Sequence, residues 1–352
     1  MRMRRMLSGG EGYYHVISRI TGQQFLMNAE EKDVLMRSMF NVAIFSGVEI
    51  LTFALMDNHF HLLVKVPRPH EVDEAELLKK MRVLYGDAKT DRLLQDWETW
   101  DKRGLCFKVE AAKEALRRRM FDLSQFCKTL KETYSMSYNY RHTHVGTIWG
   151  SRFKSVLLSP DYRTLMTVGS YIDLNPVRAG AVDEASAYRW NGYGTAIRGN
   201  TLSRNGLCTM VAMAYLKRQV AYETAVTAYE SAMQGFIDTP AKEEPAATSA
   251  RPSARKKTEK PKETRTFVSK QVAQAIAEGG KLSLFAMLRC KVRYFSHGLA
   301  VGPAAFVREV IGKLTPTKDT SSRCDCCEEI ELFTARRLRG DEKVSVPKGR
   351  VA

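Results

Sequence analysis

Two pairs of side chains in the sequence have the types and spacing that metal-assisted phosphoryl chemistry needs. His59 and His61 lie one residue apart in the strand-like stretch ALMDNHFHLLVKVP, so both point to one face and can hold a single metal ion. On their own, the two histidines are more simply explained as hydrogen-bonded surface or core residues, because a metal site needs a third ligand.

The second pair is Tyr171 and Asn175, four residues apart in a segment that we predict to be helical over 160–175. Asn175 offers a carbonyl oxygen, a suitable ligand for Mg²⁺ or Mn²⁺. Tyr171 offers a phenol that can attack phosphorus, but its ordinary pKa of about 10 means that it needs help from a metal at neutral pH. The structural alternative is a rim or core tyrosine, with an asparagine that ends the helix before Pro176.

The charge of the chain favours a polyanionic partner. The 352 residues carry a formal net charge of +16 and give a pI of about 9.5, so nucleic acid is the favoured partner and an anionic membrane the alternative. The sequence has no run of 18 apolar residues, and MRMRRMLSGGEG lacks an apolar segment behind its basic start, which predicts a cytoplasmic protein that does not bind membranes.

The seven cysteines are scattered and odd in number, which indicates reduced thiols. Three of them form the CDCC cluster at 324–327, but no second cluster accompanies it, so we do not predict a zinc site there.

The elements that must position the histidines and the tyrosine predict an α+β fold. A strand, a helix between an Asn28 cap and a Gly47 stop, a second strand and the histidine strand follow one another from residue 13. A later strand at 146–159 precedes the helix of Tyr171. This order predicts a ferredoxin-like antiparallel sheet with helices on one face, plus a helical insertion and a helix-rich C-terminal extension.

The composition divides the chain further. We predict a catalytic core in two pieces, a helical insertion, a helical extension, a basic disordered linker rich in Pro, Ala, Lys and Glu, and an accessory C-terminal region. In that order, these parts span residues 1–70 with 145–200, 71–144, 201–237, 238–265 and 266–352.

Four basic side chains near the predicted site are candidate contacts to DNA. Arg152 and Lys154 lie on the strand before the helix of Tyr171, and His15 and Arg19 lie on the first strand. Packing in the core or on the surface is an equally good explanation for His15 and Arg19. Binding of single strands through such contacts weakens with salt.

Four motifs together give the chain a resemblance to a known family. YYHVISRI, ALMDNHFHLLVKV, WGSRFKSVLLS and YIDLNPVRAG with YRWNGYG resemble, in combination and order, the REP-associated tyrosine transposases of the single-tyrosine HUH transposase family. The resemblance covers roughly residues 12–70 and 145–197. The stretch between the histidine motif and WGSRFK is longer than in short members, and the region after about residue 200 is additional.

The resemblance implies a ferredoxin-like core that cuts and rejoins single-stranded DNA beside palindromic hairpins. It implies Mg²⁺ or Mn²⁺ held by His59 and His61, with Asn175 at the position of the third ligand, which is often Gln in related enzymes. It further implies that Tyr171 is the nucleophile and that a 5′-phosphotyrosine intermediate forms. No nucleotide cofactor is expected, since the sequence contains no phosphate-binding G-x-x-x-x-G-K-[ST] loop. A monomer and a homodimer both remain open.

Two other functions are compatible with the sequence. One is a non-catalytic nucleic-acid-binding regulator with the same fold, against which the complete set of four site residues argues. The other is an unrelated metalloenzyme with a small-molecule substrate, which the net charge of +16 makes a poorer explanation.

Overall fold

A computed structural model gives the fold of the protein and describes residues 8, 10–213, 220–238, 298–314, 321–322 and 333–336. Almost all of the predicted basic linker lies outside the described residues, and so does the CDCC cluster.

The centre of the molecule is a sheet whose first four strands have the ferredoxin-like order. These are β1 (Gly12–Arg19), β2 (Glu49–Leu55), β3 (His59–Val66) and β4 (Lys154–Leu158). They are arranged β2-β3-β1-β4, and each neighbouring pair is antiparallel. The predicted α+β class and antiparallel core are therefore confirmed.

Three further strands extend the sheet beyond β4. The first, β5 (Gly298–Gly302), pairs with β4 in the parallel direction. Next to it lie β7 (Phe333–Arg336) and then, at the end of the order, β6 (Ser321–Ser322). A short segment of the predicted accessory region thus belongs to the same sheet as the histidine strand.

The helices begin and end where local signals place them. The Asn28 side chain accepts a hydrogen bond of 2.9 Å from the backbone N–H of Glu31, and Gly47 ends the same helix with a φ of 70°. The described helices of at least four residues are α1 (Ala29–Ser46), α2 (Glu74–Tyr85), α3 (Asp87–Lys102), α4 (Cys106–Arg117), α5 (Leu123–His142), α6 (Tyr162–Asp173), α7 (Asn175–Arg178), α8 (Gly192–Ile197), α9 (Thr201–Ala212), α10 (Tyr222–Asp238) and α11 (Ala304–Leu314).

Helices cover both faces of the sheet, which corrects the prediction of one covered face. On β3, the alternate residues Phe60, Leu62 and Val64 pack with α1 and α5 in one apolar core. Leu63 points to the other face and joins a second core that contains residues of α6, α9 and α10. The prediction failed because the helical extension after residue 200 was taken as an addition to the core, although its α9 packs directly on β2.

The segment 71–144 is helical, but its helices pack in two different places. Residues of α2 and α3 form a separate small core with Phe45 and Met120, against which partly buried residues of α4 also pack. In contrast, α5 contributes Phe126, Leu130 and Tyr134 to the first sheet core. The helix α5 therefore takes the place of the second crossover helix of the ferredoxin-like order, and α2–α4 are additional to it. No described helix is long and apolar enough to cross a membrane.

Gly206 tests the close packing of α9 on β2. A Cβ atom at this position would lie 2.3 Å from the carbonyl oxygen of Ile50 and 2.6 Å from that of Leu51. We expect Gly206→Ala to lower the free energy of unfolding by about 2 kcal/mol in urea titrations, because the backbones would have to separate. The exposed neighbour Asn205 supplies the control, since Asn205→Ala should change stability by less than about 0.5 kcal/mol. A stabilisation by Gly206→Ala, the usual effect within a helix, would contradict this close approach.

Candidate active site

The two histidines of β3 lie at the end of the sheet, on the face that α6 covers. Their ring centroids are 5.1 Å apart and the rings are nearly perpendicular. The Nδ1 atom of His59 is 2.6 Å from the side-chain oxygen of Asn58, and this contact orients the imidazole ring. Strand pairing places Arg19 opposite His59 and Ile17 opposite His61, with their side chains on the same face.

His15 supports His61 from within the core. It is fully buried, and its Nε2 atom lies 2.8 Å from Nδ1 of His61. The prediction that His15 contacts DNA is therefore wrong, because its side chain has no surface to offer to a phosphate. The hydrogen bond instead fixes the ring of His61 and leaves Nε2 of His61 as its second nitrogen, as ligand histidines in metal sites require.

The environment of His61 favours the neutral imidazole. Its side chain is buried, and this burial lowers the pKa of His61 well below the usual value. The nearby His15 and His59, together with the charges of Arg178 and Arg19, act in the same direction. A neutral ring is the form that binds metal ions.

Tyr171 contacts two histidines and an arginine. Its ring centroid is 5.9 Å from that of His61 and 6.0 Å from that of His15, in both cases with an edge-to-face arrangement. The guanidinium carbon of Arg178 lies 4.8 Å from the same centroid, within the range of a cation–π contact. The side chain of Tyr171 is 5% exposed. The structure thus brings together the predicted nucleophile and the predicted metal-binding pair.

The predicted single helix over 160–175 is divided at Leu174. Asp161 caps α6 by accepting a hydrogen bond from the backbone N–H of Thr164. The helix ends at Asp173, and Asn175 is the first residue of the short helix α7. The cause is Pro176, whose nitrogen carries no hydrogen for the carbonyl of Ile172.

Asn175 compensates for this missing donor. Its Nδ2 atom donates to the carbonyl oxygens of Tyr171 at 2.9 Å and of Ile172 at 3.3 Å. These acceptors fix the orientation of the amide, so that Oδ1 is the atom that points away from the helix. Asn175 therefore takes part in ending the helix before Pro176, which was the structural alternative in the sequence analysis. Its Oδ1 atom does not take part in these two hydrogen bonds and can act as a ligand.

The donor set fits a divalent cation that accepts both nitrogen and oxygen ligands. It consists of two imidazoles, each with its Nδ1 atom engaged, and the amide oxygen of Asn175, whose Nδ2 atom donates to the carbonyl of the predicted nucleophile Tyr171. In the described part of the chain, no group of three or more His, Cys, Asp and Glu residues could hold a metal ion. A cation at this place would therefore need the amide, solvent or substrate oxygen to complete its coordination.

Three basic residues lie at the same end of the sheet. Arg19 is the exposed last residue of β1, Lys154 is half-buried at the start of β4, and Arg152 is exposed two residues earlier. Lys154 pairs with Ile17 across the strands, and Ile17 pairs with His61. Contact of these three residues with DNA stays a prediction, which their position supports.

A buried carboxylate holds α6 in place. The Oδ2 atom of Asp173 accepts hydrogen bonds from the hydroxyls of Thr52 at 2.7 Å and Tyr229 at 2.5 Å, and its Oδ1 atom accepts one from the backbone N–H of Tyr193 at 3.0 Å. The carboxylate thus joins α6 to β2, α10 and α8. Burial raises the pKa of Asp173 to about 6, against the lowering effect of these hydrogen bonds.

The sequence interpretation did not single out Asp173 or Arg178. Asp173 could have been found as the one acidic residue of an otherwise apolar helix end, and Arg178 by its spacing of seven residues, two helical turns, from Tyr171.

Comparisons with known proteins agree with the first part of this site. The model of the family described as "Transposase IS200 like" matches residues 10–113, which include both histidines but not Tyr171 or Asn175. This match confirms the resemblance to single-tyrosine transposases for that part of the chain. No curated protein matches the chain.

Among solved structures, one of a REP-associated tyrosine transposase bound to a REP hairpin is similar, with 15% identity and a TM-score of 0.36 over 56% of this chain and 87% of that one. The fold assignment depends on the strand order given above and not on this similarity.

Asp173 gives the stability of the protein a specific pH dependence. Because its pKa is raised to about 6 by folding from an ordinary 3.8, its contribution is fully present below pH 3.8 and is lost as the pH rises through 6. Asp173→Asn removes this titration. We expect the free energy of unfolding of the wild type, relative to Asp173→Asn, to fall by about 2 kcal/mol between pH 4 and pH 7 in urea titrations. A difference that is constant with pH would contradict the shifted pKa.

Proposed function

Because residues 10–113 carry the sequence pattern of the IS200-like transposase family, we propose that the protein is a metal-dependent endonuclease and strand transferase for single-stranded DNA. The observation that carries the proposal is the contact of Tyr171 with the rings of His15 and His61. These residues come from three separate elements, α6, β1 and β3, and they form one cluster with a phenol beside the predicted metal-binding pair.

The chemistry of Tyr171 would be a transfer of the phosphoryl group. Its phenolic oxygen attacks the scissile phosphorus, the bond from phosphorus to the 3′ oxygen breaks, and the proton of the phenol is balanced by the proton that the 3′ hydroxyl gains. The products are a 5′-phosphotyrosine and a free 3′ hydroxyl. Because the covalent bond conserves the energy of the phosphodiester, the reverse attack rejoins DNA without a nucleotide cofactor.

His59, His61 and the Oδ1 atom of Asn175 are the groups that would hold Mg²⁺ or Mn²⁺. When bound, such a cation polarises the phosphate and offsets the negative charge that develops during the transfer. The protein contributes the orientation of the ligands. Nδ1 of His61 is held by His15, Nδ1 of His59 by Asn58, and the amide of Asn175 by two carbonyl groups.

The substrate we propose is a single strand that carries a palindromic hairpin of the REP type, which follows from the motif resemblance. The net charge of +16 and the three basic residues Arg19, Arg152 and Lys154 beside the histidines support an anionic strand at this end of the sheet.

The first test is the formation of a covalent adduct. Hairpin-bearing single strands from the flanks of the gene, labelled at either end, are incubated with the protein and Mg²⁺ or Mn²⁺ and analysed on denaturing gels. We expect a metal-dependent protein–DNA band that Tyr171→Phe abolishes, because phenylalanine has no nucleophilic oxygen. The matched control is Tyr140→Phe, since Tyr140 is 89% exposed on α5, and this variant should form the adduct at the wild-type rate.

The non-catalytic alternative predicts a different pattern in the same assay. Tight binding of the hairpins with neither cleavage nor adduct, from the wild type and in both metals, would favour a binding protein that keeps the fold.

The second test concerns the support of the metal-binding pair by His15. His15→Leu removes the hydrogen bond to Nδ1 of His61, and we expect it to lower the affinity for Mn²⁺ by about 10–100-fold in titrations followed by electron paramagnetic resonance. His70 is exposed and distant in the fold from this pair, so His70→Leu should leave the affinity unchanged. Equal affinities of His15→Leu and the wild type would show that His15 serves packing only.

A further inference from the structure

Arg178 has two hydrogen-bond donors without a partner in the described part of the chain. Its Nε and Nη1 atoms are buried, and neither has a hydrogen-bond partner among the described residues. Burial of a charged donor without a partner costs free energy, so folded proteins rarely retain one without a functional cause. Other arginines of the described part are satisfied: Arg118 and Arg189 by carboxylates, and Arg198 by backbone carbonyls.

The position of Arg178 indicates which group would accept hydrogen bonds from these donors. Its guanidinium carbon lies 4.8 Å from the ring centroid of Tyr171, and its charge is one of those that act on His61. Arg178 therefore contacts the predicted nucleophile and lies within electrostatic range of the predicted metal ligand His61. A phosphate within reach of the Tyr171 hydroxyl would lie close to two sources of positive charge, the predicted cation and Arg178.

We propose that Arg178 is a catalytic residue that binds the scissile phosphate with its Nε and Nη1 donors. The inference rests on the proposed function and extends it to Arg178, which is neither a predicted metal ligand nor the predicted nucleophile. Arginine donors of this kind stabilise the charge that spreads over the phosphate oxygens during transfer.

The thermal stability of the free protein gives the first test, because substitution of this buried arginine is expected not to lower the melting temperature. Arg178→Met replaces the buried unpaired donors by an apolar side chain of similar length, so we expect the melting temperature to rise by about 2 °C or to stay unchanged, while hairpin affinity falls about tenfold. A purely structural arginine would give the opposite pattern, a lower melting temperature with unchanged DNA binding. Arg118→Met is the matched control, since Arg118 is exposed on α4 and pairs only with Glu114 at 3.0 Å.

A strand in which one phosphate is replaced by an uncharged methylphosphonate tests which phosphate Arg178 contacts. Hairpin strands with one methylphosphonate at the position that the wild type cleaves are bound, in the absence of divalent cations, to Tyr171→Phe, which cannot react. We expect the neutral group to weaken binding about tenfold to Tyr171→Phe, but less than twofold to Tyr171→Phe with Arg178→Gln, because both changes remove the same charge pair. The Arg118→Gln control should retain the tenfold effect.

Each result decides one of the two proposals. If the neutral group costs the same factor with and without Arg178, or costs nothing in Tyr171→Phe alone, Arg178 does not bind this phosphate. The second of these outcomes needs no Arg178 variant, so it remains decisive if Arg178→Gln does not fold. If the wild type forms no adduct, the strand-transfer function fails, and a scan of the methylphosphonate along the strand still reveals whether Arg178 binds a phosphate.

Discussion

The buried carboxylate of Asp173 is the constraint on which the site depends. A charged group within an apolar core is tolerated only when hydrogen bonds surround it, and Asp173 obtains them from β2, α8 and α10 at once. This demand fixes both the rotation and the height of α6 on the sheet. Tyr171, two residues earlier, must then face away from Asp173, toward the histidines. The same interaction explains why α10, far along the chain, influences the position of the predicted nucleophile.

Around this anchor, each reactive side chain is held by a partner that removes its freedom. His61 is fixed by His15, His59 by Asn58, and Asn175 by the carbonyls of Tyr171 and Ile172. A site of this kind loses little entropy when a substrate arrives, because its groups are already oriented. Arg178 is the exception in the group, since its Nε and Nη1 donors have no partner among the residues that the structure describes.

Much of this arrangement follows from local sequence signals. The alternation on β3, the Asn28 cap and the Gly47 stop all depend on residues near one another in the sequence, and the structure confirms these elements. The pairing of His15 with His61 depends on the register between β1 and β3, and the bonds of Asp173 depend on the packing of four elements. Neither can be predicted from a local sequence pattern, which is why His15 was misassigned and the second covered face was missed.

The strand β5 has a consequence for the synthesis of the protein. Within the ferredoxin-like order, β4 is an edge strand, and its outer backbone groups are paired by Ala300 and Val301 of β5. A ribosome completes β4 about 140 residues before it completes β5, which at 5–20 residues per second takes roughly 7–28 s. During this interval the nascent chain carries an open edge with unsatisfied backbone donors and acceptors. Pairing with an equally incomplete neighbour on the same messenger then competes with the arrival of its own C-terminal strand.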